Sequence, residues 1–100
     1  MELSGEQLSS IISWAKETPE LEAIFLSGTR AKGTATSVSD VDLALSMKGP
    51  DPFWRLATFL SHRRAWKTEL EKSLGLAVQL ERARRGPIPG ADYVELWRRA

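Results

Sequence analysis

The stretch SGTRAKGTATSVSDVDLAL, residues 27–45, places two carboxylates, Asp40 and Asp42, shortly after a turn of small residues. On an extended strand, residues i and i+2 point to the same face, so these two aspartates should project side by side. Like charges that close repel unless a cation lies between them. Mg²⁺ meets this need, because it takes one or two protein carboxylates and adds water and phosphate oxygens. The spacing therefore predicts a magnesium site at Asp40 and Asp42, the alternative being two solvated aspartates on an exposed strand.

The first half of the same stretch is typical of a phosphate-binding turn. Gly28 and Thr29 follow an apolar segment and precede a short helical turn, Arg30–Lys32, that Gly33 closes. Free backbone N–H groups there, with the Thr29 hydroxyl, suit phosphate oxygens, and an ordinary strand connection is the alternative. Together with the aspartates, the turn predicts a triphosphate held by amides at one end and by metal-bound carboxylates at the other.

Length and composition limit the possible classes of protein. One hundred residues suffice for one domain and not for two, so a single domain over residues 1–100 is expected. The 42% hydrophobic content is that of a globular protein, and the four tryptophans are expected in its core. With 14 basic and 13 acidic residues, the overall charge favours neither nucleic acid nor an anionic membrane as partner.

The chain also lacks several local signals. It has no cysteine, which excludes disulfides and thiolate metal sites. Its first ten residues, MELSGEQLSS, do not resemble a signal peptide, and no apolar run reaches the roughly 20 residues that cross a bilayer. We therefore expect a cytoplasmic location and no membrane-spanning segment.

Helical periodicity predicts two main helices. Ser4 and Gln7 form a capping-box pattern before the first apolar periodicity. Asp51 and Pro52 are typical of the start of a second, long helix, and Gly75 is typical of its end. The apolar positions expected to face the core from this long helix are Leu56, Phe59, Leu60, Trp66, Leu70 and Leu74.

Short apolar or alternating segments predict the strands. They are Leu21–Leu26, Val41–Leu45 and Ala77–Glu81, with Tyr93–Trp97 as either a last strand or a helical turn. A loop is expected over residues 82–90, RARRGPIPG. The first two strands have a short connection and should be antiparallel neighbours. The predicted fold is α/β (α+β), with a small mixed, largely antiparallel sheet backed by two main helices.

The motif resembles the signature of the DNA polymerase β-like nucleotidyltransferase superfamily: an apolar strand, Gly, Ser or Thr, about ten residues, then Asp, an apolar residue and Asp. Here G-T-R-A-K-G begins at Gly28, S-D-V-D-L-A-L begins at Ser39, and ten residues separate Thr29 from Asp40. The match is most similar to the minimal nucleotidyltransferases of prokaryotes. The resemblance implies the nucleotidyltransferase fold and Mg²⁺-dependent transfer of a nucleoside monophosphate, AMP from ATP being the first expectation, to a hydroxyl acceptor.

The resemblance also implies roles for individual residues. Gly28 and Thr29 would bind the β- and γ-phosphates, and the two aspartates would hold magnesium ions. Arg30 and Lys32, which lie in the same turn, are further candidates for contact with the nucleotide. Plain solvation is the alternative interpretation of Lys32.

One position departs from the family pattern. A third acidic residue on a later strand is expected to activate the acceptor hydroxyl, but Gln79 stands at that place. Glu81 lies one pleat further along and on the same strand face. Either Glu81 supplies the third carboxylate, or the chain is a weakened enzyme or a nucleotide-binding or partner-binding module.

Family relatives of this size often act beside a small helical HEPN-type partner, as antitoxins that adenylylate a toxin tyrosine. A protein acceptor is therefore expected ahead of a nucleic acid. A third hypothesis is a small basic RNA binder that uses Arg82, Arg84 and Arg85, which otherwise serve solubility. The single histidine, His62, lies on the apolar side of the long helix and is interpreted as a packing residue.

Overall fold

A computed structural model describes residues 3–36, 39–83 and 93–100 of the chain. Residues 84–90 of the predicted loop, with Arg84 and Arg85, lie outside the described residues. In chain order the helices and strands of the described part are α1 (Gly5–Lys16), β1 (Leu21–Ser27), α2 (Gly28–Lys32), β2 (Val41–Met47), α3 (Pro52–Leu74), β3 (Val78–Arg82) and β4 (Val94–Arg98).

Both main helices begin where the sequence predicts, and α3 also ends there. The Ser4 hydroxyl accepts from the Gln7 N–H at 3.0 Å, while the Gln7 side chain accepts from the Ser4 N–H at 2.9 Å. At the start of α3, the Asp51 carboxylate accepts from the Trp54 N–H at 2.9 Å. Gly75 adopts the left-handed conformation, φ +69°, and ends α3. All three predictions, the capping box at Ser4, the N-cap at Asp51 and the C-cap at Gly75, are confirmed.

The four strands form one sheet in the order β3-β2-β1-β4. β1 is antiparallel to both β2 and β4, whereas β2 and β3 are parallel and are connected through α3. The prediction of a mixed, largely antiparallel sheet is therefore confirmed, and the segment before the chain end is a strand. None of the helices in the described ranges is both long and apolar enough to cross a membrane.

The core lies on the face of the sheet that α1 and α3 cover. Alternate residues of β2 point into it, and Val41, Leu43 and Leu45 are fully buried. Each such side chain stabilises the fold by roughly 1.5–3 kcal/mol through burial. The other face of the sheet, which carries Asp42 and Glu81, is not packed against either helix. The same alternation thus separates the core from the polar face.

The predicted apolar side of α3 is only partly correct. Phe59 and Trp66 are buried as expected, but Leu56 and Leu60 are 36% and 54% exposed. Leu74 lies about five turns after Leu56 on the same side of the helix and packs partly buried against the core, so burial depends on position along α3 as well as on the side of the helix. The expectation that all four tryptophans lie in the core is also wrong, because Trp54 is 61% exposed.

Aromatic side chains pack where α1 meets α3. The Trp14 and Trp66 rings meet edge to face at 5.8 Å, and the Trp14 indole N–H donates to Glu69 at 2.8 Å. His62 stacks on Trp66 with a centroid distance of 4.9 Å. The structure therefore places His62 in a packing role, as the sequence indicates.

Arg99, just after β4, connects the end of the sheet to the α1–β1 turn. Its guanidinium donates to the backbone carbonyls of Ala15, Thr18 and Leu21 at 3.0–3.2 Å. The same group lies 4.9 Å from the centroid of the Trp97 ring. A planar fork of donors suits this arrangement, since one side chain satisfies three carbonyls at once.

We expect Arg99→Lys to lower the free energy of unfolding by about 1–3 kcal/mol, because a single ammonium group cannot bond to all three carbonyls. The matched control is Arg98→Lys, which alters an exposed ion pair with Glu95 and should cost about 0–1 kcal/mol. Urea denaturation of both variants measures the difference. Equal losses would contradict this role of Arg99.

Candidate active site

A row of three residues crosses the end of the sheet on its open face. Asp42 of β2 is paired with Ser27 of β1 on one side and with Gln79 of β3 on the other. The Ser27 hydroxyl donates to the Asp42 carbonyl at 3.2 Å. Partners in register share a face, so the side chains of Asp42 and Gln79 are neighbours. The neutral amide of Gln79 therefore stands directly beside the predicted metal ligand.

The α2 turn touches Asp42 directly. Gly28, the first residue of α2, has φ +67°, which side-chain-bearing residues rarely adopt. A methyl group added at Gly28 would overlap the Asp42 carboxylate oxygen and lie 3.0 Å from its Cγ. Both the backbone angle and the contact therefore require glycine here. The predicted phosphate turn and a predicted metal ligand are thus adjacent in the fold.

α2 is the helical turn that the sequence predicts. Gly33 ends it in the left-handed conformation, φ +79°, and the Thr29 carbonyl accepts from the Thr34 N–H at 3.0 Å. Thr29 and Lys32 are both exposed. Their side chains are therefore accessible to a ligand at this end of the sheet, and their contact with a nucleotide stays a prediction.

Arg30 has a structural role that the sequence analysis missed. Its side chain is buried, and its guanidinium donates to the carbonyl of Ser39 at 2.8 Å and of Thr36 at 3.4 Å. It thereby holds the segment that leads to Asp40 against α2. A buried side chain that bonds to this segment is directed away from the exposed surface of the turn. Contact of Arg30 with a nucleotide stays a prediction, and the hydrogen bonds of its guanidinium to this segment do not depend on it.

The carboxylates at this site interact unfavourably. Burial of Asp42 raises the pKa of its carboxyl, and the negative charges of Asp40 and Glu81 raise that pKa further. Within the described ranges, no three acidic or histidine side chains converge closely enough to enclose a metal ion. Two carboxylates with room for water and phosphate oxygens are, however, what Mg²⁺ usually takes from a protein.

Glu81 lies on the same face of the sheet as Asp42. It is one pleat further along β3 than Gln79, the register partner of Asp42. Its register partner on β2 is Ala44. The Tyr93 hydroxyl donates to the Glu81 carboxylate at 3.2 Å, and the Tyr93 ring lies 6.1 Å from that of Phe25. Tyr93 thus fixes the position of Glu81 from the opposite edge of the sheet. The sequence did not reveal this contact, because it depends on how β4 pairs.

Comparison with known proteins identifies the type of fold. The sequence profile of the family described as "Polymerase beta, Nucleotidyltransferase" matches residues 9–91. No curated protein sequence matches this chain.

Two solved structures share the fold. One is the crystal structure of a toxin-antitoxin with AMP-PNP, at 21% identity and TM-score 0.66, covering 92% of this chain and 73% of that one. The other is a protein from Sulfolobus solfataricus assigned as a nucleotidyltransferase, at 20% identity and TM-score 0.57, covering 99% of this chain and 93% of that one. At these identities the likeness concerns the fold alone.

Gly28→Ala tests the contact with Asp42. Gly75 has nearly the same backbone angle, φ +69°, but a methyl group there would meet nothing within 4 Å. Gly75→Ala should therefore cost about 1–2 kcal/mol of unfolding free energy from backbone strain alone. We expect Gly28→Ala to cost about 1–3 kcal/mol more, because it also displaces the Asp42 carboxylate.

The same comparison in an Asp42→Ala background isolates the contact. There the total cost of Gly28→Ala should fall toward that of Gly75→Ala, as measured by urea denaturation. An extra cost that persists in full without the carboxylate would contradict the contact.

Asp42→Asn should stabilise the protein in the absence of ligands at neutral pH. A raised pKa in the folded state means that ionised Asp42 lowers stability above that pKa and has no such effect below the ordinary aspartate range. The gain in Tm should therefore be full at neutral pH and disappear in acid. Thermal unfolding as a function of pH measures it, with Glu22→Gln as control. A gain that grows in acid would contradict the assigned sign.

Proposed function

Because the chain belongs to the Polymerase beta nucleotidyltransferase family, we propose that it transfers a nucleoside monophosphate from a magnesium-bound nucleoside triphosphate to a hydroxyl acceptor. ATP is the proposed donor, and AMP the transferred group. One observation carries the proposal: the left-handed turn at Gly28 contacts the carboxylate of Asp42. The backbone predicted to bind phosphate therefore lies beside the carboxylate predicted to bind metal.

The proposed metal site consists of Asp40 and Asp42. The fit rests on charge and chemistry: burial raises the pKa of Asp42, the negative charges of Asp40 and Glu81 raise it further, and a bound cation would relieve that repulsion. Both groups are hard oxygen donors, as Mg²⁺ prefers. When bound, Mg²⁺ would neutralise the carboxylates and stabilise the charge that develops on the phosphate oxygens.

The residues of the turn would hold the triphosphate. Backbone N–H groups at Gly28 and Thr29, with the Thr29 hydroxyl, are the proposed donors to the β- and γ-phosphates. Lys32, exposed in the same turn, is a further candidate. Arg30 would act indirectly, because its bond to the Ser39 carbonyl holds the segment before the first aspartate.

Glu81 is the proposed base. The acceptor oxygen would attack the α-phosphorus, the bond to pyrophosphate would break, and the hydroxyl proton would pass to the Glu81 carboxylate. The hydrogen bond from Tyr93 would orient that carboxylate toward the acceptor. Glu81 is one methylene longer than aspartate, which offsets part of its displacement by one pleat from Asp42.

A second candidate function is a nucleotide-binding or partner-binding module that transfers nothing. The pairing of Gln79 with Asp42 favours it, because the register partner of the predicted metal ligand on β3 is a neutral amide, which is a poor base. The two candidates differ in whether Glu81 matters for a chemical step.

A protein is the proposed acceptor. One of the structures that share the fold is a toxin-antitoxin crystallised with AMP-PNP. By analogy, we propose that this chain acts as an antitoxin on a small helical HEPN-type partner and modifies a tyrosine hydroxyl. A phenolic hydroxyl is a suitable acceptor, since its proton is more acidic than that of serine.

Transfer is measured with ATP labelled at the α-phosphate, Mg²⁺ and the product of the neighbouring reading frame as acceptor. Asp42→Asn should abolish the label transfer, and Glu81→Gln should reduce it about 10²–10⁴-fold. Tyr93→Phe keeps the ring and removes only the hydroxyl, so it should reduce transfer less than Glu81→Gln does. Glu95→Gln, an exposed carboxylate on β4, is the control and should leave transfer unchanged.

Gln79→Asp separates the two candidates. If Glu81 is the base, a new carboxylate at position 79 should change the rate little. If the wild type transfers no label and Gln79→Asp creates activity, the second candidate is correct. ATP binding with no transfer to any acceptor, unaffected by Glu81→Gln, would likewise exclude the enzymatic proposal.

A further inference from the structure

A cationic groove lies at the opposite end of the sheet from Asp42. It has a volume of about 760 Å³, within the range of ligand-binding clefts. Among the residues that the structure describes, five cationic side chains line it, against one side-chain carboxylate, that of Glu22. The cationic residues are Lys48, Arg55, Arg82, Arg98 and Arg99.

The cations do not all have the same freedom to bind a ligand. Arg98 forms an ion pair with Glu95 at 2.7 Å, and Arg55 donates to the Gly49 carbonyl at 2.9 Å. Lys48 and Arg82 are exposed and form no ion pair with any residue in the described ranges. These two charges are uncompensated within the described part of the chain. They are therefore the main attraction for an anion.

The groove lies away from the predicted metal ligand Asp42, although Phe25, which lines it, also contacts Tyr93 beside Glu81. Ser46 lines the groove and lies four residues after Asp42 on the same strand, which is about 13 Å away. Phe25, between them on the open face, also lines the groove, and the Arg98 guanidinium lies 5.8 Å from its ring centroid. An anion in the groove is thus a second bound group, distinct from a phosphate at Asp42.

Phosphate groups fit this groove better than carboxylates do. A phosphate presents several oxygens and more than one charge, so it can accept hydrogen bonds from more than one cationic side chain. Several cations facing one carboxylate favour a ligand with more than one anionic group. We propose that the groove binds clustered phosphate groups, carried by a linear polyphosphate or by a single-stranded nucleic acid, and that it does so independently of the transfer reaction.

The test uses inorganic tripolyphosphate and a fluorescent single-stranded RNA of about 12 nucleotides, without Mg²⁺ or nucleotide. Lys48→Ala/Arg82→Ala should weaken binding of at least one probe about tenfold and reduce the salt dependence of RNA binding by a slope of about 1.4. The matched control, Arg64→Ala/Lys72→Ala, also removes one arginine and one lysine, but from exposed positions on α3. It should change the affinity for each probe less than twofold. Thermal unfolding verifies that both variants remain folded.

The two probes identify the source of the phosphate. RNA binding that tripolyphosphate does not displace indicates a nucleic acid, and tight tripolyphosphate binding alone indicates a small polyphosphate; either supports the groove. The proposed phosphate binding in the groove would be overturned if neither probe bound, or if the two double variants lost equal amounts of affinity for the probes. Loss of binding in Asp42→Asn would also overturn it, because that loss would locate the ligand at the active site. Because label transfer is assayed separately, failure of the groove leaves the nucleotidyltransferase proposal standing, and the reverse also holds.

Discussion

The close contact between the Gly28 backbone and the Asp42 carboxylate is the constraint on which the candidate site depends. It exists because β1 and β2 pair antiparallel with Ser27 opposite Asp42, so that the strand end and the turn after it meet the aspartate. A shift of one residue in this register would turn Asp42 into the core and Leu43 out of it. The buried aliphatic residues of β2 therefore fix the position of the carboxylate as firmly as they fix the core.

The site also contains an electrostatic conflict that the fold tolerates. Asp42 is partly buried next to two other carboxylates, Asp40 and Glu81, and its pKa is raised as a result. Such an arrangement lowers stability in the absence of a cation and is characteristic of residues kept for function. The Tyr93 hydroxyl donates to the Glu81 carboxylate, and the Ser27 hydroxyl donates to the backbone carbonyl of Asp42. These hydrogen bonds help to hold both residues in place despite the repulsion between the carboxylates.

Much of the fold could be predicted from the sequence, because its signals are local. The helix caps at Ser4 and Asp51, the glycine ends of α2 and α3, and the alternation along β2 each depend on residues within a few positions of one another. That Gly28 and Asp42 belong to one site could be predicted because they lie in a sequence motif of fixed spacing.

The rest depends on contacts between distant segments. The buried Arg30 looks in sequence like any exposed cation, and the contact of Tyr93 with Glu81 requires β4 to pair with β1. Leu56 and Leu60 have helical spacing, yet both are exposed in the first half of α3. Periodicity gives the apolar side of a helix, whereas the sheet beneath decides which part of it is covered.

The most direct test of the central claim is a crystal structure with AMP-PNP and Mn²⁺, whose anomalous signal locates the metal. We expect a metal ion bonded to the carboxylates of Asp40 and Asp42 at roughly 2.0–2.1 Å, the distance typical of Mg²⁺. The β- and γ-phosphates should lie on the backbone of Gly28 and Thr29. A nucleotide bound elsewhere, or a metal that touches neither aspartate, would contradict this arrangement of the site.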